Sequence, residues 1–157
     1  MTTSLKRAGT VLLSVLLLCT LALSAGAASK LRVGVKFWKT GSDKESMANS
    51  GIDTSREASL TRQSNGTYTL TLPIQQVSKM GVTGYLTGLT IGDVTYNGTV
   101  TGDVAKDTGV LIIKNLPASV LTGSDVNKAL TVTCNIQMDL SLLGEINTSA
   151  RMCIWNK

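Results

Sequence analysis

The sequence predicts an all-β domain, a sandwich of about seven or eight strands of the immunoglobulin-like type. Apolar and polar residues alternate along several segments, and turn residues such as Gly, Asn and Asp separate these segments at short intervals. Aromatic residues make up only 4% of the 157 residues, and the abundant Thr, Gly, Val and Leu favour strands and turns over helices. The length suits one domain with a usable core.

Residues 1–27 have the pattern of a secretory signal peptide. Basic residues precede an apolar run at 11–23, and Ala25-Gly26-Ala27 provides the small residues that a signal peptidase recognises. A membrane anchor is the alternative, but the apolar run is short for a membrane span. We therefore expect cleavage after residue 27, a single domain at residues 28–157 without a membrane span, and a secreted or cell-surface location.

The first half of the domain is predicted to alternate between strands and turns. Strands are expected at residues 31–38, 58–62 and 68–72. Asn65-Gly66 joins the second and third of them, because this pair readily adopts the positive φ angles of a tight hairpin. Pro73 either ends the third strand or places it at a sheet edge. Residues 41–51 are polar and fit a loop that carries a short helical turn.

The second half continues in the same way, with strands expected at residues 85–94, 99–104, 110–114, 129–140 and 148–155. Asn97-Gly98 is predicted to form a second tight turn. The clearest alternation lies in residues 129–140, whose apolar face holds Leu130, Val132, Cys134, Ile136, Met138 and Leu140. On the last strand the expected apolar face consists of Ala150, Met152 and Ile154.

The absence of histidine excludes several kinds of chemistry. A Ser-His-Asp triad, a Cys-His dyad, a His-ligated zinc site and a histidine proton shuttle all require that residue. The sequence has no nucleophile elbow and no phosphate-binding glycine loop, and Asp103 and Asp107 fit no calcium-loop spacing. The formal net charge of +5 comes from scattered basic residues, so nucleic acid is not an expected partner. We expect a binding protein and not an enzyme.

Residues 28–157 contain two cysteines, Cys134 and Cys153. Secretion favours a disulfide between them. The alternation of each strand places the two side chains on opposite faces of neighbouring strands, which opposes a direct cross-strand bond. Both states stay open at this point, because twist and bulges can bring such residues together.

Several segments together resemble the NEAT (near iron transporter) domain, a haem-binding β-sandwich of bacterial surface proteins. The first strand leads into Ser46-Met47-Ala48-Asn49, which looks like the Ser-x-x-Asn segment of the short helical lip over the haem in that family. Residues 58–60 and 65–72 resemble the hairpin that follows, and residues 82–89 resemble the next strand. The resemblance covers most of residues 28–157.

The resemblance implies non-covalent binding of haem b, with Ser46, Met47, Asn49 and Met138 as the site residues. The usual family member ligates the haem iron through a Tyr on the last strand, with a second Tyr four residues later, but no tyrosine follows Tyr96 here. A methionine-ligated variant is known within the family, so Met47 and Met138 are the candidate ligands of the haem iron. A thioether is a soft, neutral ligand that favours ferrous over ferric iron.

The same residues also have purely structural interpretations. Ser46 serves equally well as the cap of a short helical turn. Met138 shares the apolar face of its strand and fits a hydrophobic core. Met80 and Met152 are rival ligands.

The resulting hypothesis is a haem-binding and haem-transfer protein of bacterial iron acquisition, whose partners are haem and other surface haem-transfer proteins. A surface adhesion or carbohydrate-binding module of the same fold class is the alternative. A structural subunit of a surface assembly is the third possibility. Mixing the protein with haem separates the first hypothesis from the other two, because only the first predicts a new absorption band.

Overall fold

The computed structural model describes residues 28–79, 81–139 and 144–157. The predicted signal peptide, the rival ligand Met80 and Leu140 lie outside these residues. The described strands are β1 (Lys30–Lys39), β2 (Ala58–Arg62), β3 (Tyr68–Pro73), β4 (Val77–Lys79), β5 (Val82–Ile91), β6 (Val94–Thr101), β7 (Val110–Leu116), β8 (Leu130–Met138) and β9 (Glu145–Asn156). Short 3₁₀ helices cover Met47–Gly51, Val104–Lys106, Ala118–Val120 and Val126–Lys128. The prediction of an all-β fold is confirmed.

The strands form one hydrogen-bonded sheet in the order β4-β5-β6-β7-β3-β2-β1-β9-β8, with a further pairing between β5 and β8. This pairing closes eight of the strands into a ring, and this closed, barrel-like sheet is consistent with the predicted β-sandwich class. Closure is possible because β5 uses both of its edges. One edge pairs with β8 from Gly84 to Thr90, and the other pairs first with β4 and then with β6.

The first predicted hairpin is confirmed, whereas the second predicted turn is wrong. Gly66 has a φ of 83° between β2 and β3, as the Asn-Gly pair predicts. Asn97-Gly98 lies inside β6, where Gly98 pairs with Ile113, and the turn before β6 is made by Gly92, with a φ of 59°. A Cβ at Gly98 would lie 2.3 Å from a methyl carbon of Leu111, so close packing explains this glycine.

The predicted strand boundaries differ most around β6. This strand ends at Thr101, and Val104, expected within a strand at 99–104, begins a 3₁₀ helix. Asp103 caps that helix by accepting a hydrogen bond from the backbone N–H of Ala105 at 3.0 Å. Side chains of this kind offer the backbone a local alternative to strand pairing, which explains why the alternating pattern failed here.

Apolar side chains, mostly aliphatic, fill the inside of the ring and form the core. The largest fully buried residues are Val33, Phe37, Leu60, Leu70, Leu72, Ile74, Leu89, Leu111, Ile113, Leu116, Met152 and Ile154. The expected apolar face of the last strand is confirmed, since Ala150, Met152 and Ile154 are all completely buried. Met152 is therefore a core residue. Pro73 is the last residue of β3 and pairs with Val110, so it ends the strand.

Cys134 and Cys153 are both free and both buried. Cys134 pairs across the sheet with Thr148 of β9, whereas Cys153 pairs with Lys36 of β1, so the two cysteines are not cross-strand neighbours. The Cys153 thiol donates instead to the backbone carbonyl of Asp125 at 3.5 Å. Burial raises the pKa of the Cys134 thiol to about 12, which keeps it protonated and unreactive.

We expect neither Cys134 nor Cys153 to react with an aromatic disulfide reagent at about pH 8 in the folded protein, because both thiols are buried and the reagent cannot reach them. After unfolding in denaturant without reductant, both thiols should react. A Cys19→Ser variant restricts the count to these two residues. Rapid labelling of the folded protein, or no labelling of the unfolded protein, would contradict the assignment.

Candidate functional site

A cavity of about 480 Å³ lies between the 3₁₀ helix Met47–Gly51 and strands β4, β5, β8 and β9. We call the helix the lip and the cavity the lip groove. Its lining is almost entirely apolar, and among the described residues it includes no charged side chain. The polar side chains in it are those of Tyr85 and Thr148. A concave, mainly apolar cavity of this kind is the usual setting for a small-molecule ligand.

The floor of the groove is the inner face of the sheet at one end of the ring. Residues that pair directly across strands lie on the same face of the sheet, and two rows of such residues cross the groove. The first row is Ile146 of β9, Ile136 of β8 and Leu86 of β5. The second row is Met138 of β8, Gly84 of β5 and Val77 of β4. The next row inward contains Cys134 and Leu89, which are completely buried. The groove is therefore continuous with the core, at the end where core packing stops.

Met138 lies against a glycine on the neighbouring strand. A Cβ atom at Gly84 would be 2.9 Å from the Met138 sulfur and 2.8 Å from the backbone oxygen of Gln137. A larger residue at position 84 would therefore displace the thioether from the groove floor. In the sequence Gly84 directly precedes the strand predicted at residues 85–94, and nothing local indicated that it makes room for Met138.

The lip is fixed to β1 by two polar side chains. The amide of Asn49 takes the place of a neighbouring strand, because its oxygen accepts from the backbone N–H of Phe37 at 2.8 Å and its nitrogen donates to the Phe37 carbonyl at 2.7 Å. Ser46 caps the lip by accepting from the backbone N–H of Ala48 at 3.3 Å, and its own N–H donates to the Phe37 carbonyl at 2.9 Å. Both anchors use interactions that side chains commonly make with backbone.

The structure brings Met47 and Met138 together in the lip groove, but Ser46 and Asn49 do not line it. Ser46 is only 7% exposed. Met47 is 49% exposed and lies at the mouth of the groove with Ile146, which is 40% exposed. The role of Ser46 and Asn49 as haem-site residues stays a prediction, and their observed role is to hold the lip.

The far end of the lip is attached to the segment between β3 and β4. Gln75 donates from its backbone N–H to the Gly51 carbonyl and from its side chain to the Ser50 carbonyl, both at 3.0 Å. Beyond the lip, Asp53 receives hydrogen bonds from Ser55 and Arg56, and these bonds lower the pKa of its carboxyl group. Arg56 also donates to the Gly109 carbonyl at 2.7 Å, which ties this segment to the start of β7.

A second cavity of about 270 Å³ lies on the other side of the lip. Its lining includes Asn49 together with Lys36, Glu45, Arg56 and Trp155. Most of these polar groups bond to each other or to the backbone, as in the 2.5 Å contact between Lys36 Nζ and Glu45 Oε1. The lip therefore separates an apolar groove from a charged cavity.

Sequence reasoning missed Tyr85, which lies on β5 between Gly84 and Leu86 and lines the lip groove. It was treated only as the start of a strand. Over the described ranges, no group of three or more His, Cys, Asp or Glu side chains could hold a metal ion. The helices in these ranges are all too short or too polar to cross a membrane.

Known structures share this fold. A mutant of IsdX2-NEAT5 in complex with haem superposes with a TM-score of 0.53 at 10% sequence identity, over 84% of this chain and 98% of that chain. The NEAT5 domain of IsdX2, a B. anthracis hemophore in complex with haem, gives a TM-score of 0.53 at 9% identity, over 83% and 98% of the respective chains. No protein-family model and no curated protein sequence matches the chain. The chain thus has the NEAT-domain fold.

Replacement of Asn49 by Ala should lower the free energy of unfolding by about 1–2 kcal/mol, because the Phe37 N–H loses its acceptor and the Phe37 carbonyl loses one of its two donors. Urea unfolding followed by circular dichroism measures this change. Asn97→Ala, at an exposed position of β6, is the matched control and should change stability by less than about 0.5 kcal/mol. Equal effects of the two substitutions would show that Asn49 does not hold the lip.

Asp53 should make stability depend on pH. Its pKa in the folded protein is below the ordinary value of 3.8, so its contribution is present above that pH and is lost as the pH falls through the folded pKa. The stability difference between wild type and Asp53→Asn should therefore be constant near neutral pH and should shrink below pH 3.8. Glu57→Gln, which alters an exposed pair with Arg32, is the control. A difference that grows on acidification would contradict this assignment.

Proposed function

We propose that the lip groove binds haem non-covalently and that the protein is a secreted or surface haem carrier of bacterial iron acquisition. One observation carries the proposal. Met47 and Met138, which lie far apart in the sequence, line the same apolar groove. The IsdX2 NEAT5 structures, whose fold this chain shares, are complexes with haem.

The groove fits the size and polarity of a porphyrin. Its volume of about 480 Å³ lies within the range of ligand cavities, roughly 300–1,000 Å³. The apolar lining suits the faces of the macrocycle, and the absence of charged lining residues among those described requires the carboxylates of the porphyrin to remain at the mouth. Haem b is the expected form, since the chain has no histidine and therefore no Cys-x-x-Cys-His attachment motif.

We propose that the thioethers of Met47 and Met138 would hold the haem iron. The last strand contributes Ile146 and Thr148 to the groove, and neither provides the strong oxygen ligand that a tyrosine would supply. Thioethers are soft and neutral, so bound iron would favour the ferrous state and a high reduction potential.

The exposed position of Met47 at the groove mouth supports transfer of haem to a partner. Met47 is about half exposed at the groove mouth, so a second protein can reach it without unfolding the domain. Other surface haem-transfer proteins are the proposed partners. The function is binding and transfer, without catalysis.

A carbohydrate-binding or adhesion module is the second candidate, and one observation favours it. Trp155 lies in the charged cavity beside polar side chains, and its ring covers Gly34 so closely that a Cβ there would be 2.3 Å away. An aromatic ring beside hydrogen-bonding groups is a common setting for a sugar ring. Binding of sugars in the absence of haem binding, with loss on Trp155→Ala, would support this candidate.

Reduced haem added to the wild-type protein should give the narrow absorption bands of low-spin ferrous iron. Met47→Leu and Met138→Leu should each lose these bands and weaken binding by about tenfold or more, because one axial ligand is gone. Met152→Leu, which changes a fully buried methionine of the core, should keep both the bands and the affinity.

The outcomes of this titration are separable. If the wild type gives no band in either oxidation state, the haem function is wrong. If haem binds but both methionine variants keep the low-spin bands, the function stands and the ligand assignment is wrong.

A further inference from the structure

A cluster of three polar side chains lies at the corner of the lip groove where β4, β5 and β8 meet. The Gln76 side-chain amide donates to the Asp139 carboxylate at 2.5 Å, and the Thr83 hydroxyl donates to the same carboxylate oxygen. The backbone N–H of Asp139 donates to the Thr83 carbonyl at 2.9 Å. We call these three residues the corner clamp.

Each member of the corner clamp is the sequence neighbour of residues that line the groove. Gln76 precedes Val77, Thr83 lies between Val82 and Gly84, and Asp139 follows Met138. Since side chains alternate along a strand, the Thr83 side chain points to the opposite face from its two neighbours. The clamp therefore ties three strands together on the outer face of the sheet, directly behind the groove floor.

The clamp acts on the part of the backbone that carries the Met138 thioether. The Met138 N–H donates to the Gly144 carbonyl at 2.9 Å, and the Met138 carbonyl accepts from the Gln137 side chain at 3.2 Å. On the groove side, the sulfur lies where a side chain at Gly84 would clash. The bond between Asp139 and Thr83 fixes the β8 backbone beside β5, which sets the distance between Met138 and that glycine.

We propose that the corner clamp positions Met138 for its ligand, so that Gln76, Thr83 and Asp139 are positioning residues of the lip groove. The importance of this role for haem rests on the proposed function. The hydrogen bonds of Asp139 with Gln76 and Thr83 are exposed to solvent. Bonds of this kind add little to global stability, so the clamp should affect the position of Met138 more than the folding of the domain.

The first test exchanges hydrogen-bond partners in the holo-protein. Gln76→Glu sets two carboxylates against each other and should make haem loss about fivefold faster, the size expected from one lost hydrogen bond. Adding Asp139→Asn to Gln76→Glu restores a donor–acceptor pair and should return the rate to that of the wild type. Thr83→Val should behave as Gln76→Glu does, and Thr83→Ser, which keeps the hydroxyl, should behave as the wild type does.

Thr95→Val is the matched control, because the Thr90–Thr95 hydroxyl pair at 3.0 Å is also exposed and lies on the β5–β6 hairpin away from the groove. Its rate of haem loss should equal that of the wild type. All variants should unfold within a few degrees of the wild type. Equal rates for Gln76→Glu and Thr95→Val, or failure of Asp139→Asn to rescue, would overturn the proposal.

A double-mutant cycle shows whether the clamp acts through Met138. In the Met138→Leu background, Thr83→Val should have no further effect on haem loss, since the group that it positions is already absent. An undiminished fivefold effect in that background would mean that the clamp acts on the groove by another route and would overturn the assignment to Met138.

The last test needs no haem and so remains decisive if the proposed function fails. In the haem-free protein with ¹³C-labelled methionine methyl groups, Thr83→Val should shift or broaden the Met138 signal, while the Met152 signal in the core stays unchanged. An unchanged Met138 signal would show that the clamp does not position this side chain. If that signal moves although the wild type binds no haem, the clamp stands and the haem function alone is wrong.

Discussion

The pairing of β5 with β8 is the constraint on which the site depends. It runs from Gly84 to Thr90 of β5 and closes eight strands into a ring. Without it, the end of β8 would be an open edge, and Met138 would have no wall opposite its sulfur. With it, the inner face of the sheet extends past the packed core and forms the apolar floor of the lip groove. The same residues therefore serve closure of the fold and formation of the site.

The lip covers part of the apolar floor of the groove, and it does so with only five residues. The lip is a single 3₁₀ turn, too short to be stable alone. Its stability comes from side-chain and backbone bonds at both ends, to Phe37 of β1 and to Gln75 between β3 and β4. The Asn49 side chain bonds to the Phe37 backbone as a neighbouring strand would, which holds the lip in place. Met47 remains exposed at the mouth of the groove. This arrangement combines a fixed frame with an accessible methionine side chain.

Most strands could be predicted from the sequence because alternation with a period of two is a local signal. The closure of the sheet could not, because it depends on register between segments distant in the chain. Asn97-Gly98 misled the prediction, since a glycine needed for close packing looks the same as one needed for a turn. The presence of Met47 and Met138 in one groove was expected from the resemblance to NEAT domains. The bond from Asn49 to Phe37 was not, because no local pattern indicates which backbone a side-chain amide will reach.

The central claim is that one iron-bearing ligand lies between the lip and the β5–β8 floor, held by two thioethers. Proton NMR of the reduced haem complex, with methionine methyl groups labelled, tests this directly. The methyl group of a methionine whose sulfur binds the iron lies over the porphyrin ring, and the ring current shifts its signal far upfield. Two such signals are expected, one from Met47 and one from Met138, and single Leu variants assign them. A complex without upfield methionine signals, or with an upfield signal from another methionine alone, would contradict it.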